Sequence, residues 1–314
     1  MSIDPGQPTP DPSAPASPDT SDAGPSSTAP LKTPLFQAVN AARYQRQSLI
    51  RQIQEQTGRP LVCYVAGIAA SLTRDDTLGF ADLLHNVPAN GPLDLLLHTP
   101  GGDIDAAEKL MWMVRARVGS GHLRTIVPDF AKSAGTLMVL AADIVLMSDS
   151  SELGPIDPQV VLTDTSGNRR AHSVQDYLDA YEQLKTELST NPNDVTARLM
   201  LAKIEPAMVK SFQAAYERAG AIAEKHLKHG MFREGGNFTA VPRDLLNRKR
   251  WKSHGQIISW EDAKDIGLKV DHVAPDDPLW QKLWQLYCFQ RLAVEDKQKL
   301  FESDIVSIPI DASA

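Results

Sequence analysis

The 314-residue chain has little cysteine: only Cys63 and Cys288. They lie far apart, in no CxxC or metal-ligand spacing, which argues against a disulfide scaffold or a zinc site. Both adjoin apolar residues and read as ordinary core or interface thiols. Long apolar runs are also missing. A membrane span needs roughly 18 consecutive apolar residues. The longest candidate, Ala134–Met147, is shorter and is interrupted by Asp143. The first residues offer neither a basic start nor an apolar core, so no secretory signal is expected and cytoplasm is the expected compartment. Positive charge is not in excess. A net charge of −7 and a pI near 5.6 give no bulk attraction for nucleic acid or an anionic membrane. The basic cluster Asn247–Lys252 reads as a solvated loop. No His, Cys, Asp and Glu fall at metal-ligand spacing, so neither a metal nor another cofactor is expected.

What is present begins with a tail rich in Pro, Ser, Thr and Asp, residues 1–33. Such a segment cannot bury a core and is expected to be disordered. The rest, with 42% apolar residues over the whole chain, is ordinary globular sequence. Helical spacing runs from about Leu35 to Gln56. Then short apolar runs, "LVCYVAG", "LDLLLH", "LRTIVP" and "DIVLMS", alternate with helical stretches. Runs of that length, rich in branched residues, read as buried strands. The alternation predicts an α/β fold with a parallel sheet covered by helices. A main domain is expected over 34–275, with a helical arm at about 173–229 broken near "TNPNDV". "GQIISWEDAKDIGLKVDHV" reads as strand–helix–strand closing that domain. Residues 276–314 are expected to form a C-terminal helix and tail. That helix carries Trp280, Trp284, Tyr287 and Phe289. Four aromatics within ten residues suggest that some meet a second copy of the chain.

Two strand-to-helix junctions stand out. In "HTPGGDIDAAEKL", Gly101 and Gly102 follow the second strand. Glycine permits positive φ and close backbone approach, so N–H groups can converge on one spot, and the helix after Asp103 would add its dipole. The spacing is neither G-x-x-x-x-G-K-[ST] nor G-x-G-x-x-G, so nucleotide phosphate is not expected. In "AKSAGTLMVLAADIVLMS", Ser133 opens a short helix of small and apolar residues. A serine there can expose Oγ at the carboxyl edge of the sheet, with the next N–H placed for an oxyanion hole. The plainer reading is a helix N-cap. Ligand sites of parallel sheets lie at these strand ends.

Pro-Gly-Gly, Lys-Ser-Ala-Gly and "ELGPIDPQ" together resemble the serine dehydrogenase proteinase family. That family is part of the Clp-protease/crotonase superfamily, with signal peptide peptidase A and the stomatin-cleaving membrane proteases among its relatives. The likeness runs from about Ala42 to Val273. It implies a Clp/crotonase-like fold of repeated β-β-α or β-α units. It also implies a serine endopeptidase with Ser133 as nucleophile, Gly102 and Ala134 supplying the oxyanion N–H groups, and Gly101 shaping the turn. Many relatives carry an N-terminal membrane segment where this chain has the Pro/Ser-rich tail. The resemblance further implies a Ser–Lys dyad. A lysine serves as base only where burial lowers its pKa. Lys203, in "LMLAKIEPAMV", has the most apolar sequence neighbours and stands before a new helix; Lys210 and Lys185 follow in that order. Lys132 adjoins the serine, but consecutive side chains diverge. His172 is the alternative base in a Ser–His arrangement. His98 reads as structural and His254 as a turn cap. The implied partners are protein or peptide substrates, membrane-protein fragments among them, and further copies of the chain in a homo-oligomer. Two other readings compete. One is a crotonase-like acyl-CoA enzyme using Glu152 and Asp157 for proton transfer. The other is a catalytically inactive oligomeric scaffold.

Overall fold

A computed structural model of the chain describes residues 32–163 and 166–312. Nearly all of the Pro/Ser-rich tail, for which disorder is expected, lies outside the described residues. By its internal contacts the chain divides after Asn40. The first unit contributes one described helix, α1 (Pro34–Val39). The second opens with α2 (Ala41–Thr57), so the stretch read as one helix is two.

The second unit then runs β1 (Leu61–Ala66), α3 (Asp76–His85), β2 (Leu93–His98), α4 (Ile104–Val118), β3 (Leu123–Ile126), β4 (Phe130–Ala131), α5 (Ala134–Leu140) and β5 (Ile144–Met147). A loop region carries β6 (Glu152–Leu153) and the hairpin β7 (Gln159–Thr163) and β8 (Arg169–Ser173). The helical arm is α6 (Val174–Thr190), α7 (Val195–Leu201) and α8 (Pro206–His229). After it come α9 (Ala240–Leu245), α10 (Trp260–Asp265), β9 (Val270–His272), α11 (Pro278–Leu292), β10 (Gln298–Glu302) and β11 (Ser307–Asp311). The strand expected before α10 is a single bridge, Ile258 to Leu153.

The main sheet has the order β11-β10-β1-β2-β3-β5-β9. Strands β1, β2, β3, β5 and β9 pair in parallel, as the apolar runs predict. Strand side chains alternate between faces. Val62, Tyr64, Leu95 and Leu97 accordingly join the core under α3, α4 and α5, while Leu61, Cys63, Val65 and Leu96 join the core under α2 and α11. The final residues are not a tail. Strands β10 and β11 form an antiparallel hairpin that adds β10 to the open edge of β1. Nor do the aromatics of α11 need a second copy: Trp280 and Tyr287 are buried, and Trp284 and Phe289 pack on the same core.

Charged groups lock the added edge in place. Glu302 on β10 is wholly buried and accepts from Arg46 on α2 (2.9 and 3.0 Å), Gln290 on α11 (3.0 Å) and Ser307 (2.7 Å). Lys299, two per cent exposed, donates to Asp76 at the start of α3 (2.7 Å), which also accepts from the Thr73 N–H (3.0 Å) and Tyr64 Oη (3.2 Å). Removing one partner of a buried pair leaves an uncompensated charge, at a cost of about 3–5 kcal/mol. Asp76→Ala is therefore expected to lose that much stability in equilibrium urea unfolding, and Asp76→Ala with Lys299→Met is expected to recover part of it.

His98 ends β2 on the face under α11. Its ring lies 4.0 Å from that of Phe130 and 5.0 Å from that of Tyr287, and its Nε2 is buried without a hydrogen-bond partner among the described residues. Burial, helped by the charge of Arg291, pushes its pKa from 6.5 to about 3. His226, buried on α8 with Nδ1 2.9 Å from the Leu137 carbonyl, is shifted downward mainly by burial. Between the two His98 values the unfolded chain binds a proton that the folded chain refuses, so stability falls as pH falls through that window. By this linkage His98 alone removes about 2 kcal/mol between pH 7 and pH 5. Urea midpoints at the two pH values should show the loss, and His98→Asn should reduce it by about that amount.

Candidate active site

The two junctions meet at the carboxyl end of the sheet. Beyond β2 the chain continues beside β4: the Thr99 N–H donates to the Phe130 carbonyl (3.1 Å) and the Lys132 N–H to the Thr99 carbonyl (3.0 Å). The next residues explain the glycine pair. Gly101 has φ +97°, and a Cβ there would stand 2.6 Å from the Lys132 carbonyl and 2.9 Å from Ser133 Cβ. Gly102 has φ +147°, and its Cβ would strike the Leu72 backbone at 2.5 Å. Both positions therefore exclude a side chain twice over, by conformation and by space. The Leu72 N–H donates to the Gly101 carbonyl (2.7 Å) and the Asp103 N–H to the Leu72 carbonyl (3.0 Å), which fixes the turn.

Ser133 stands on the other side of that approach. Its backbone is at φ +51°, ψ −115°, where a residue with a Cβ is strained. It is the residue before α5, yet its hydroxyl makes no capping hydrogen bond. The N-cap reading therefore fails, and Oγ is uncommitted on a half-buried side chain. Helix α5 is buried along its whole length, as its composition predicts. Its first N–H, that of Ala134, has no backbone acceptor among the described residues, and neither has the N–H of Gly102. The approach sets the Ala134 nitrogen 3.2 Å from where a Gly101 Cβ would stand, so the residue before Gly102 lies against the start of α5, beside the strained serine. Helix α4 adds less than expected: its N-cap, Asp103, already accepts from the N–H groups of Asp105 and Ala106.

The lysines lie elsewhere. The apolar sequence neighbours of Lys203 do not enclose it; it sits exposed in the short connection between α7 and α8. Lys210 is exposed on the first turns of α8 and shares a cleft with Lys185 of α6. Lys185 pairs with Glu182 at 2.9 Å, a contact that raises its pKa, the opposite of what a base needs. His172 is exposed on β8. Among the described residues no lysine or histidine nitrogen is hydrogen-bonded to Ser133 Oγ. Lys132 points away from the serine: its Nζ donates to the Leu153 carbonyl (3.0 Å) and pairs with Glu152 (3.0 Å).

Sequence reasoning passed over one pair. His254 Nδ1 lies 2.8 Å from Oδ1 of Asp157, and Asp157 is wholly buried. Gln159 donates to its other oxygen (2.8 Å), with Arg248 at 3.7 Å. Nothing in the local sequence of either residue announces the pair, since the two are joined only by the fold.

Comparison with known proteins follows the same lines. Two uncharacterized proteins of Methanocaldococcus jannaschii are similar to this chain. One is 28% identical over 206 residues, 66% of this chain and 63% of that protein. The other is 29% identical over 125 residues, 37% of this chain and 42% of that protein. The aligned region thus spans less than two thirds of the length of either relative. Among solved structures, a mutant of the 1510-N membrane-bound stomatin-specific protease gives a TM-score of 0.42 at 14% identity, covering 73% of this chain and 84% of that one. ClpP1 from Listeria monocytogenes gives 0.40 at 14% identity, covering 75% and 99%. The model of the ClpP-like SDH-type serine proteinases matches residues 39–296, well over half of the sequence, and the chain belongs to that family.

Proposed function

We propose that this chain is a serine endopeptidase acting on protein or peptide substrates, fragments of membrane proteins among them. Ser133 Oγ attacks the scissile carbonyl carbon. The carbonyl electron pair moves to oxygen, and the N–H groups of Gly102 and Ala134 receive the negative charge. Gly101 acts by letting the two backbones approach. The observation that carries the reading is the strained Ser133 backbone with its uncommitted hydroxyl, set beside two N–H donors without backbone acceptors. A crotonase-like use of Glu152 and Asp157 has less support, because Glu152 is paired with Lys132 and Asp157 with His254 and Arg248.

In a Ser–Lys version of this chemistry Lys203 would take the serine proton. Exposed as it is, it would have to be enclosed by a second copy of the chain before it could serve as a base. The proposal includes such a homo-oligomer, with the helical arm bordering a neighbour's site. Sedimentation equilibrium should then give a multiple of 34.3 kDa.

Ser133→Ala should leave the unfolding transition unchanged and lower casein or peptide turnover by about 10³-fold or more, since removing a nucleophile removes the covalent route. Labelling by a fluorophosphonate should disappear in the same variant. Turnover near the wild-type rate in Ser133→Ala would remove the serine from the mechanism.

A further inference from the structure

The loop between β1 and α3, residues 67–75, walls one side of the Gly101–Gly102 turn. Leu72 is the point of contact. Its N–H donates to the Gly101 carbonyl (2.7 Å), its carbonyl accepts from the Asp103 N–H (3.0 Å), and a Gly102 Cβ would come within 2.5 Å of its backbone. The place of Leu72 thus sets the place of the peptide at Gly102.

What holds Leu72 comes from the far end of the chain. The start of the loop rests on the segment leading into β10. The Gly67 N–H donates to the Gln298 carbonyl (2.7 Å) and the Ala69 N–H to the Asp296 carbonyl (2.8 Å). A Cβ on Gly67 would stand 2.1 Å from the Glu295 carbonyl oxygen, so only glycine lets the two backbones meet there. The end of the loop is held at Thr73, next to Leu72, by a side chain of β10. Asp76 Oδ2 accepts from the Thr73 N–H (3.0 Å), while Lys299 Nζ donates to Asp76 Oδ1 (2.7 Å) and to the Thr73 hydroxyl (3.3 Å). Thr73 is therefore fixed through both its backbone and its side chain. Lys299 and Asp76 are both buried, and a hydrogen bond out of reach of water holds more firmly than one in it.

An apolar side chain of similar length would fill the place of Lys299 without the cost of desolvating a charge. Packing alone does not call for this pair; the best-attested use of a buried pair is to fix one arrangement among several. The hairpin carries a second buried charge, and the two differ in reach. Side chains alternate along β10: Lys299 meets α3 on the face where Phe301 packs, whereas Glu302 meets α2 and α11 on the other. The family match ends at residue 296, and β10 begins at Gln298, so the anchor at Thr73 comes from beyond the matched region.

We propose that Lys299 is a positioning residue for the oxyanion side of the site. Acting through Asp76, Thr73 and Leu72, it holds the Gly101–Gly102 turn where the Gly102 N–H meets the developing charge. The β10–β11 hairpin is then a functional part of the peptidase as well as an edge of its sheet. This rests on the peptidase reading given above. No step of the reaction uses Lys299 itself. Its effect falls on a donor engaged in the transition state, and so on kcat more than on KM.

The test compares the two buried pairs of the hairpin in the full chain, with a peptide substrate and Ser133→Ala as the inactive reference. Asp76→Ala with Lys299→Met removes both charges and the acceptor for the Thr73 N–H. Per folded molecule, it should lower kcat about 10-fold or more, keep KM within about twofold and slow fluorophosphonate labelling of Ser133 by a like factor. Glu302→Gln with Arg46→Met removes the pair on the other face. It should lower the urea midpoint and leave kcat and labelling at wild-type values. A merely structural hairpin would move the midpoint in both cases and kcat in neither. Should the first pair of changes prevent folding, Thr73→Val takes its place: it removes only the hydroxyl that accepts from Lys299, and it should lower kcat with KM unchanged. Wild-type kcat in the folded variant, or equal losses from both pairs, would overturn the positioning role and leave the peptidase reading standing. A wild-type protein that neither cleaves nor labels would overturn both.

Discussion

One close approach organises the candidate site: the backbone at Gly101 against the backbone at Lys132 and Ser133. With 2.6 Å between a would-be Cβ and the Lys132 carbonyl, no other residue fits at 101 without moving one chain or the other. The approach puts the Gly102 N–H and the Ala134 N–H at one end of the sheet. It also holds Ser133 in a conformation that a free chain would avoid. Strain of that kind persists only where its surroundings over-determine it. Here the surroundings are the Leu72 bridge on one side and the fully buried α5 on the other. The strained serine and the two N–H groups without backbone acceptors are thus consequences of a single packing contact.

The parts legible in the sequence were those with a local signature. The parallel strands announced themselves as apolar runs of four to six residues, because both faces of the sheet are covered. Gly101, Gly102, Ser133 and Ala134 were legible because each occupies a strand-to-helix junction where backbone demands restrict residue type. What failed was inference from sequence neighbours to environment. Lys203 is flanked by Leu199, Met200, Leu201, Ala202 and Ile204, yet Leu199 and Met200 are themselves exposed, so those neighbours form no pocket. Apolar composition over a few residues does not decide burial in a short connection between helices. His254 and Asp157 were missed for the converse reason. They meet near the Leu153–Ile258 bridge, a contact with no local trace. The hairpin of β10 and β11 was hidden similarly, since its Glu302 and Lys299 are buried by partners from α2 and α3.

Lys132 links these two levels. From sequence it is a charge next to a serine. In the fold it is the tie that joins β4, β6 and the segment leading to α10. Its position one residue before Ser133 places that serine next to the point where those segments are tied together.

The pairing of β1 with β10 also has a bearing on the order of assembly. Strand β1 is among the first parts of this unit to leave a ribosome, and β10 among the last. Until β10 arrives, one edge of β1 presents unpaired N–H and C=O groups, and Asp76 and Arg46 lack the opposite charges that later bury them. The parallel strands and the Gly101–Ser133 contact can form before that moment, because none of their pairings uses β10. A chain lacking β10 would keep the parallel pairings that frame the candidate site but leave the sheet open along one side. Closing that edge brings together residues more than 230 positions apart in the chain, and an unpaired edge is a template for pairing with other strands.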